Sequence, residues 1–227
     1  MRRLLPLAIF CVFACAGAFD TASGDVRSCA THDYSYAGFA AAHHAEGVSA
    51  RITALAPANV LEGHVAAWVG VGGPGAGPGR TDEWLQVGFS AFAGDANGKL
   101  YYELALPNQA PQYVEVRSDV QPGESHRLTV LEMRGHPFWW RVWVDGQAVT
   151  APIHLLRSHR SWRPIATGES WNAGAGVCNA FAYQFGRVVA ARVPGGGWRT
   201  FARGYRFEDP GYRVFTDSRT SFRALGD

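Results

Sequence analysis

Glu83-Trp84-Leu85-Gln86-Val87-Gly88-Phe89 alternates with a period of two. As an extended strand it turns Leu85, Val87 and Phe89 to one side and Trp84, Gln86 and Gly88 to the other. The upstream run Val65-Ala66-Ala67-Trp68-Val69-Gly70-Val71 behaves in the same way. Val65, Ala67, Val69 and Val71 make its core set, and Trp68 and Gly70 look away from it. Each strand thus carries a tryptophan beside a glycine on its non-core side. Glycine there leaves room for a second backbone or a ligand. The two strands together predict a groove lined by Trp68, Trp84 and Gln86.

The rest of the chain extends the same pattern. Helical periodicity is scarce; most segments alternate or are rich in β-branched and aromatic residues. Strands are predicted at residues 47–54, 63–71, 83–89, 99–106, 112–116, 125–133, 138–144, 147–153, 165–169, 180–190 and 213–215. Asp145-Gly146 is a hairpin turn, and Asn97-Gly98 and Pro122-Gly123 mark others. Many short strands with regular turns predict an all-β sandwich or barrel. Gly70, Gly72 and Gly75 match G-x-G-x-x-G, but Pro74 and Pro78 interrupt the loop and no helix follows to meet a phosphate. Pro194-Gly195-Gly196-Gly197 reads as a hinge. It opens a C-terminal appendage, residues 194–227, whose Tyr205, Phe207, Tyr212 and Phe215 are expected to dock on the body or, alternatively, to remain disordered.

The chain has 227 residues, 47% of them hydrophobic, enough for one core. Residues 1–19 read as a signal peptide: Arg2 and Arg3, an apolar run from Leu4, then small residues around Ala16 and Ala18. The expected location is secreted or periplasmic, with a lipoprotein anchored through Cys15 as the alternative. Losing Arg2 and Arg3 brings the formal charge of +2 to zero. That leaves no field for nucleic acid or an anionic membrane, and no partner of either kind is expected. The oligomeric state is not legible. Beyond the signal, two cysteines remain, Cys29 and Cys178. In an exported protein they suggest one disulfide, two buried thiols being the alternative.

In chain order stand Ala67-Trp68-Val69-Gly70, Leu85-Gln86-Val87-Gly88, Tyr101-Tyr102-Glu103 running to Pro107, and Gly123-Glu124 before Leu128-Thr129-Val130. This series resembles the glutamic peptidases, the eqolisin family. Tyr36-Ala37-Gly38 is similar to that family's N-terminal strand, with Tyr for Trp. Ala166-Thr167-Gly168-Glu169-Ser170-Trp171 is similar to its Ala-Glu-Trp segment, with one residue inserted. The resemblance spans residues 34–190 and implies a concanavalin-like sandwich of two antiparallel sheets over residues 20–193. It implies a catalytic pair, Gln86 and Glu169, and no cofactor. Glu169 would take a proton from water; Gln86 would orient that water and donate an N–H to the oxyanion. A glutamate with a reference pKa of about 4.3 is a competent base in acid, and an amide is neutral at every pH. Tyr102 matches a tyrosine near the family's site, and Trp68 a groove-wall tryptophan; with Trp84 they are expected to bind a protein or peptide substrate. Two positions depart from the pattern: Gly72 and Ser90 stand where the family has acidic residues.

The same aromatic groove, without the chemistry, would suit a concanavalin-like module that binds a glycan or peptide. Other chemistries lack their spacing. His43-His44-Ala45-Glu46 does not set two imidazoles on one helix face, and His154 and His159 lie in a loop, so no metal is expected. Gly168-Glu169-Ser170-Trp171-Asn172 misses the nucleophile elbow at its last residue. No Glu-x-Asp-x-Glu strand of the glycosidase type occurs. Trp139, Trp140 and Trp143 are expected in core and cross-strand packing.

Overall fold

The computed structural model describes Cys29 and residues 34–226. The expected leader, residues 1–19, lies outside them. Sixteen strands follow one another: β1 (Tyr34–Ala41), β2 (Gly47–Ala54), β3 (His64–Gly73), β4 (Glu83–Phe92), β5 (Gly98–Ala105), β6 (Gln112–Val120), β7 (Ser125–Glu132), β8 (Trp139–Val144), β9 (Gln147–Ala148), β10 (Ile153–His154), β11 (Ile165–Trp171), β12 (Phe181–Val193), β13 (Gly196–Thr200), β14 (Arg203–Glu208), β15 (Tyr212–Ser218) and β16 (Ser221–Gly226). All pair antiparallel.

One seven-stranded sheet runs β14-β1-β11-β3-β4-β5-β6. The other runs β10-β8-β7-β2-β12-β16-β15, with β9 beside β8 and β13 beside the far half of β12. The alternation read in β3 and β4 decides which side faces inward. Val65, Val69, Leu85 and Val87 are sealed against Val48, Ile52, Leu128, Val130 and Phe185 of the second sheet. At about 25 cal/mol per Å² of apolar surface removed from water, each such side chain stabilises the fold by about 1.5–3 kcal/mol.

The run 147–153 forms two short strands, β9 and β10, rather than one, because Pro152 and the turn before it interrupt pairing. Residues 194–226, read as hinge and appendage, form β13 to β16 and extend both sheets. Tyr212, Val214, Phe222 and Ala224 of this segment are buried, while Tyr205 and Phe215 face solvent. A disulfide joins Cys29 to Cys178. Trp140 is in the core, Trp139 is exposed, and Trp143 is half-buried on the outer side of the second sheet.

Candidate active site

The site is built on the outer face of the seven-stranded sheet. β3 lies at its centre, with β11 on one side and β4 then β5 on the other. Gly70 pairs with Gln86, Trp68 with Gly88, and Ala66 with Glu169. Directly opposed residues of an antiparallel pair point the same way, so Trp68, Gln86, Glu169, Trp84 and Glu103 share one face. Small residues alternate with large ones across these ladders. A Cβ at Gly88 would strike the Ala67 carbonyl and the Trp68 side chain, and one at Gly70 would crowd Gln86. The two glycines let Trp68 and Gln86 lie close to the sheet.

Gln86 and Glu169 are both nearly buried, at 8% and 7% exposure. They make no direct hydrogen bond to each other. Gln86 Nε2 donates to Tyr101 Oη at 3.1 Å. Glu169 Oε2 accepts from Trp68 Nε1 at 2.9 Å, and Oε1 lies 3.3 Å from His64 Nε2. Trp68 and Tyr101 form a small apolar cluster with Ala66, flanked by Tyr36 and Ile165. The amide and the carboxylate are thus held on either side of one aromatic floor. The Trp68 and His64 contacts fix the carboxylate's rotamer, and Tyr101 fixes the amide.

A second carboxylate stands beside them. Glu103 is the ladder partner of Gln86, and its Oε1 accepts from Trp84 Nε1 at 2.9 Å. Burial pushes the Glu103 carboxyl above its usual range; the Trp84 N–H opposes this, and the charge of Glu169 adds to it. Burial, then the charges of Glu169 and Glu103, holds the Tyr101 phenol well above its usual value. Tyr101 is therefore a neutral hydroxyl throughout the range of carboxylate titration.

Trp68, Trp84 and Gln86 share the outer face of this sheet, as their alternation predicts. Tyr102 is not on that face: the β5 alternation turns Tyr102 against the core and puts Tyr101, itself buried, on the side of Gln86. The placement expected for Tyr102 is corrected accordingly. Tyr101, Glu103 and His64 were not singled out as site residues. The alternation Tyr101, Glu103, Ala105 was the available signal for the first two. Of the two departures, Gly72 has φ 83° and its Cβ would meet the Glu83 carbonyl, so the backbone itself excludes an acidic side chain there. Ser90 Oγ reaches Tyr113 Oη at 2.9 Å, and Tyr113 stacks on Tyr101. A cavity of about 280 Å³ opens at the Gly72 end of the face, beside Ile165, His44 and Trp162.

Away from this face, Glu46, Glu132 and His159 bring their donor atoms within 4.8 Å of one another. They come from three distant segments, so no spacing announced them. The trio is already satisfied internally. Glu132 accepts from Phe138 N at 2.6 Å and contacts His159 Nδ1 at 2.9 Å. Glu46 accepts from Arg160 N at 3.3 Å. Its carboxyl is pushed up to about 7, first by burial and then by a hydrogen bond with Glu132. These contacts tie the trio to one another and to two backbone N–H groups.

No family profile matches the chain, and no curated protein matches it. Solved structures do. A crystal structure of scytalido-glutamic peptidase with a peptide-based transition-state analog superposes with a TM-score of 0.57 at 15% identity, covering 86% of this chain and 99% of that one. A second structure of that peptidase, with a transition-state analog inhibitor, gives 0.55 at 15% identity over the same shares, 86% and 99%. SCP-B, an eqolisin peptidase in complex with the tripeptide Ala-Ile-His, gives 0.57 at 14% identity, again covering 86% and 99%. At these identities the likeness is one of fold: the chain folds as the glutamic peptidases do.

Proposed function

We infer that the protein is an exported, acid-active endopeptidase that cleaves protein or peptide substrates with a Gln86/Glu169 pair and no cofactor. The observation that carries this reading is the placement of those two side chains, nearly buried, on one face of one sheet around Trp68. The shared fold with the glutamic peptidases supports it.

In the proposed cycle, a water sits between the Gln86 amide and the Glu169 carboxylate above Trp68. Glu169 accepts a proton from that water as its oxygen attacks the scissile carbonyl. The Gln86 N–H, now directed to Tyr101 Oη, turns to the developing oxyanion. Glu169 then passes the proton to the leaving amine, which restores the carboxylate. The Trp68 N–H keeps the carboxylate aimed through both steps. Trp84 and Tyr101 wall the trough along which a peptide would lie.

The test is cleavage of a denatured protein substrate between about pH 3 and pH 5. Gln86→Ala should lower kcat about 10²–10³-fold, as loss of an oxyanion donor does. Glu169→Gln should abolish turnover. Wild-type protein that cuts nothing in this range, or variants that cut as well as wild type, would sink the reading.

One observation favours a second reading, a non-catalytic peptide- or glycan-binding module. Both oxygens of Glu169 and the amide of Gln86 already have protein partners, and the two make no hydrogen bond to each other. Under this reading wild type binds a tripeptide on this face without cutting it, and Trp84→Ala weakens binding while Glu169→Gln leaves it unchanged.

A further inference from the structure

Across the sandwich from Gln86, the outer face of the second sheet forms a groove of about 900 Å³. Its floor is a buried hydroxyl pair, Ser49 Oγ and Thr129 Oγ1, 2.7 Å apart. Register sets the walls. Trp143 of β8 pairs with Thr129 of β7, Thr129 with Ser49 of β2, Ser49 with Val189 of β12, and Ala191 of β12 with Trp198 of β13. The two tryptophans stand at opposite ends, four strand spacings or about 19 Å apart.

Five arginines line the space between them: Arg51, Arg127, Arg134, Arg141 and Arg187. Among the described residues, arginine ion pairs fall instead to Arg117, Arg206 and Arg223. Arg51 has only a 3.4 Å contact to Ser125 Oγ. Arg141 Nε is buried and has no hydrogen-bond partner. The one carboxylate of the lining, Glu132, is turned to Phe138 N and His159. Arg51 feels the charge of Asp145, but guanidinium groups gathered with so little counter-charge repel one another, and a buried N–H without an acceptor leaves its desolvation uncompensated. Planar anions relieve both, because a guanidinium grips a carboxylate through two parallel hydrogen bonds.

We propose that this groove binds an acidic polysaccharide. Sugar-borne carboxylates lie against Arg141 and the neighbouring arginines, and sugar ring faces stack on Trp143 and Trp198. The spacing of the tryptophans suits several consecutive sugar units rather than a single small anion. Nucleic acid is the poorer fit: its affinity is dominated by long-range attraction to phosphate, and the chain's formal charge is only +2.

The test uses the full chain and oligogalacturonate in low salt, with titration calorimetry as readout. The fully methyl-esterified oligomer is the uncharged control, and a single-stranded oligonucleotide of equal charge is the polyanion control. Wild type should bind the acid form about tenfold or more tighter than either control. Arg141→Gln and Trp198→Ala should each weaken it about tenfold, with unchanged circular dichroism. Trp198 is 43% exposed, so its truncation leaves the fold intact. Gln86→Ala should bind as wild type does, separating this groove from the peptidase face. No binding of the acid oligomer, equal binding of the oligonucleotide, or indifference to Trp198→Ala would overturn the proposal.

Discussion

Glu103 and Glu169 sense each other across the outer face of the seven-stranded sheet, and that coupling is measurable without any turnover. Burial raises the Glu103 carboxyl, the Trp84 N–H opposes it, and the Glu169 charge raises it further. Glu169→Gln removes the last of these. The Glu103 midpoint should therefore fall toward the ordinary carboxylate range in that variant, read by carbon NMR titration of its carboxyl; a midpoint that stays put or climbs would mean that the two groups lie too far apart to act together. Gly72 makes a converse point. Restoring the acidic residue that resembling peptidases carry there should not improve activity, because φ 83° and the Glu83 carbonyl leave no place for a side chain. Gly72→Asp should instead cost about 1–3 kcal/mol in urea denaturation. The residue scale is also where sequence and structure part over Tyr102. Matching by motif position selects it, whereas strand parity decides which of two adjacent tyrosines faces the site, and parity follows from the pairing of Glu103 with Gln86.

Strands of high alternation were legible as elements. β2, β4, β5 and β7 lie where Val, Leu and aromatic residues recur at every second position, since a half-buried strand needs that period. β13, β14 and β16 were not. Their sequences carry arginine and glycine at positions where packing, not local preference, determines extension. Long-range pairing to β12 and β1 supplies that packing. Phe222 of β16 shows how much: it stacks on Phe185 with ring centres 4.5 Å apart and meets Phe39 edge-on at 5.1 Å. It therefore belongs to the central core rather than to a docked tail. Phe222→Ala should destabilise the protein by about 3–5 kcal/mol, and denaturation followed by tryptophan fluorescence should remain one transition. Two separate transitions would instead mark residues 194–226 as an independent unit.

Polar side chains gather on both outer faces of the molecule, and neither the arginine groove nor the Glu46–Glu132–His159 trio was visible in one dimension, because each assembles from segments far apart in the chain. The trio also bears on the pH range in which the fold is most stable. Glu46 is buried and its carboxyl is pushed up from 4.5 to about 7, first by burial and then by its hydrogen bond with Glu132. Below about pH 4.5 it is protonated in both folded and unfolded chains and takes nothing from stability. Between about 4.5 and 7 the unfolded chain ionises while the native one holds its proton, so stability declines as pH rises. Above about 7 the decline is complete, at roughly 3 kcal/mol for this group. Burial raises the Glu83 and Glu103 carboxyls as well, and they act in the same direction. Glu124 works the other way. The Gln121 N–H and then Arg117 hold it down to about 2, so its contribution is present above about pH 4.5 and is lost as pH falls toward 2. The two limbs place maximal stability near pH 4–5, inside the range where a glutamate base would be working. Melting temperatures measured from pH 3 to pH 8 should peak there and fall toward neutrality, and Glu46→Gln should flatten the neutral limb. A profile that climbs to pH 7, or a variant whose limb keeps its slope, would show that the Glu46 proton is not what sets the acid preference.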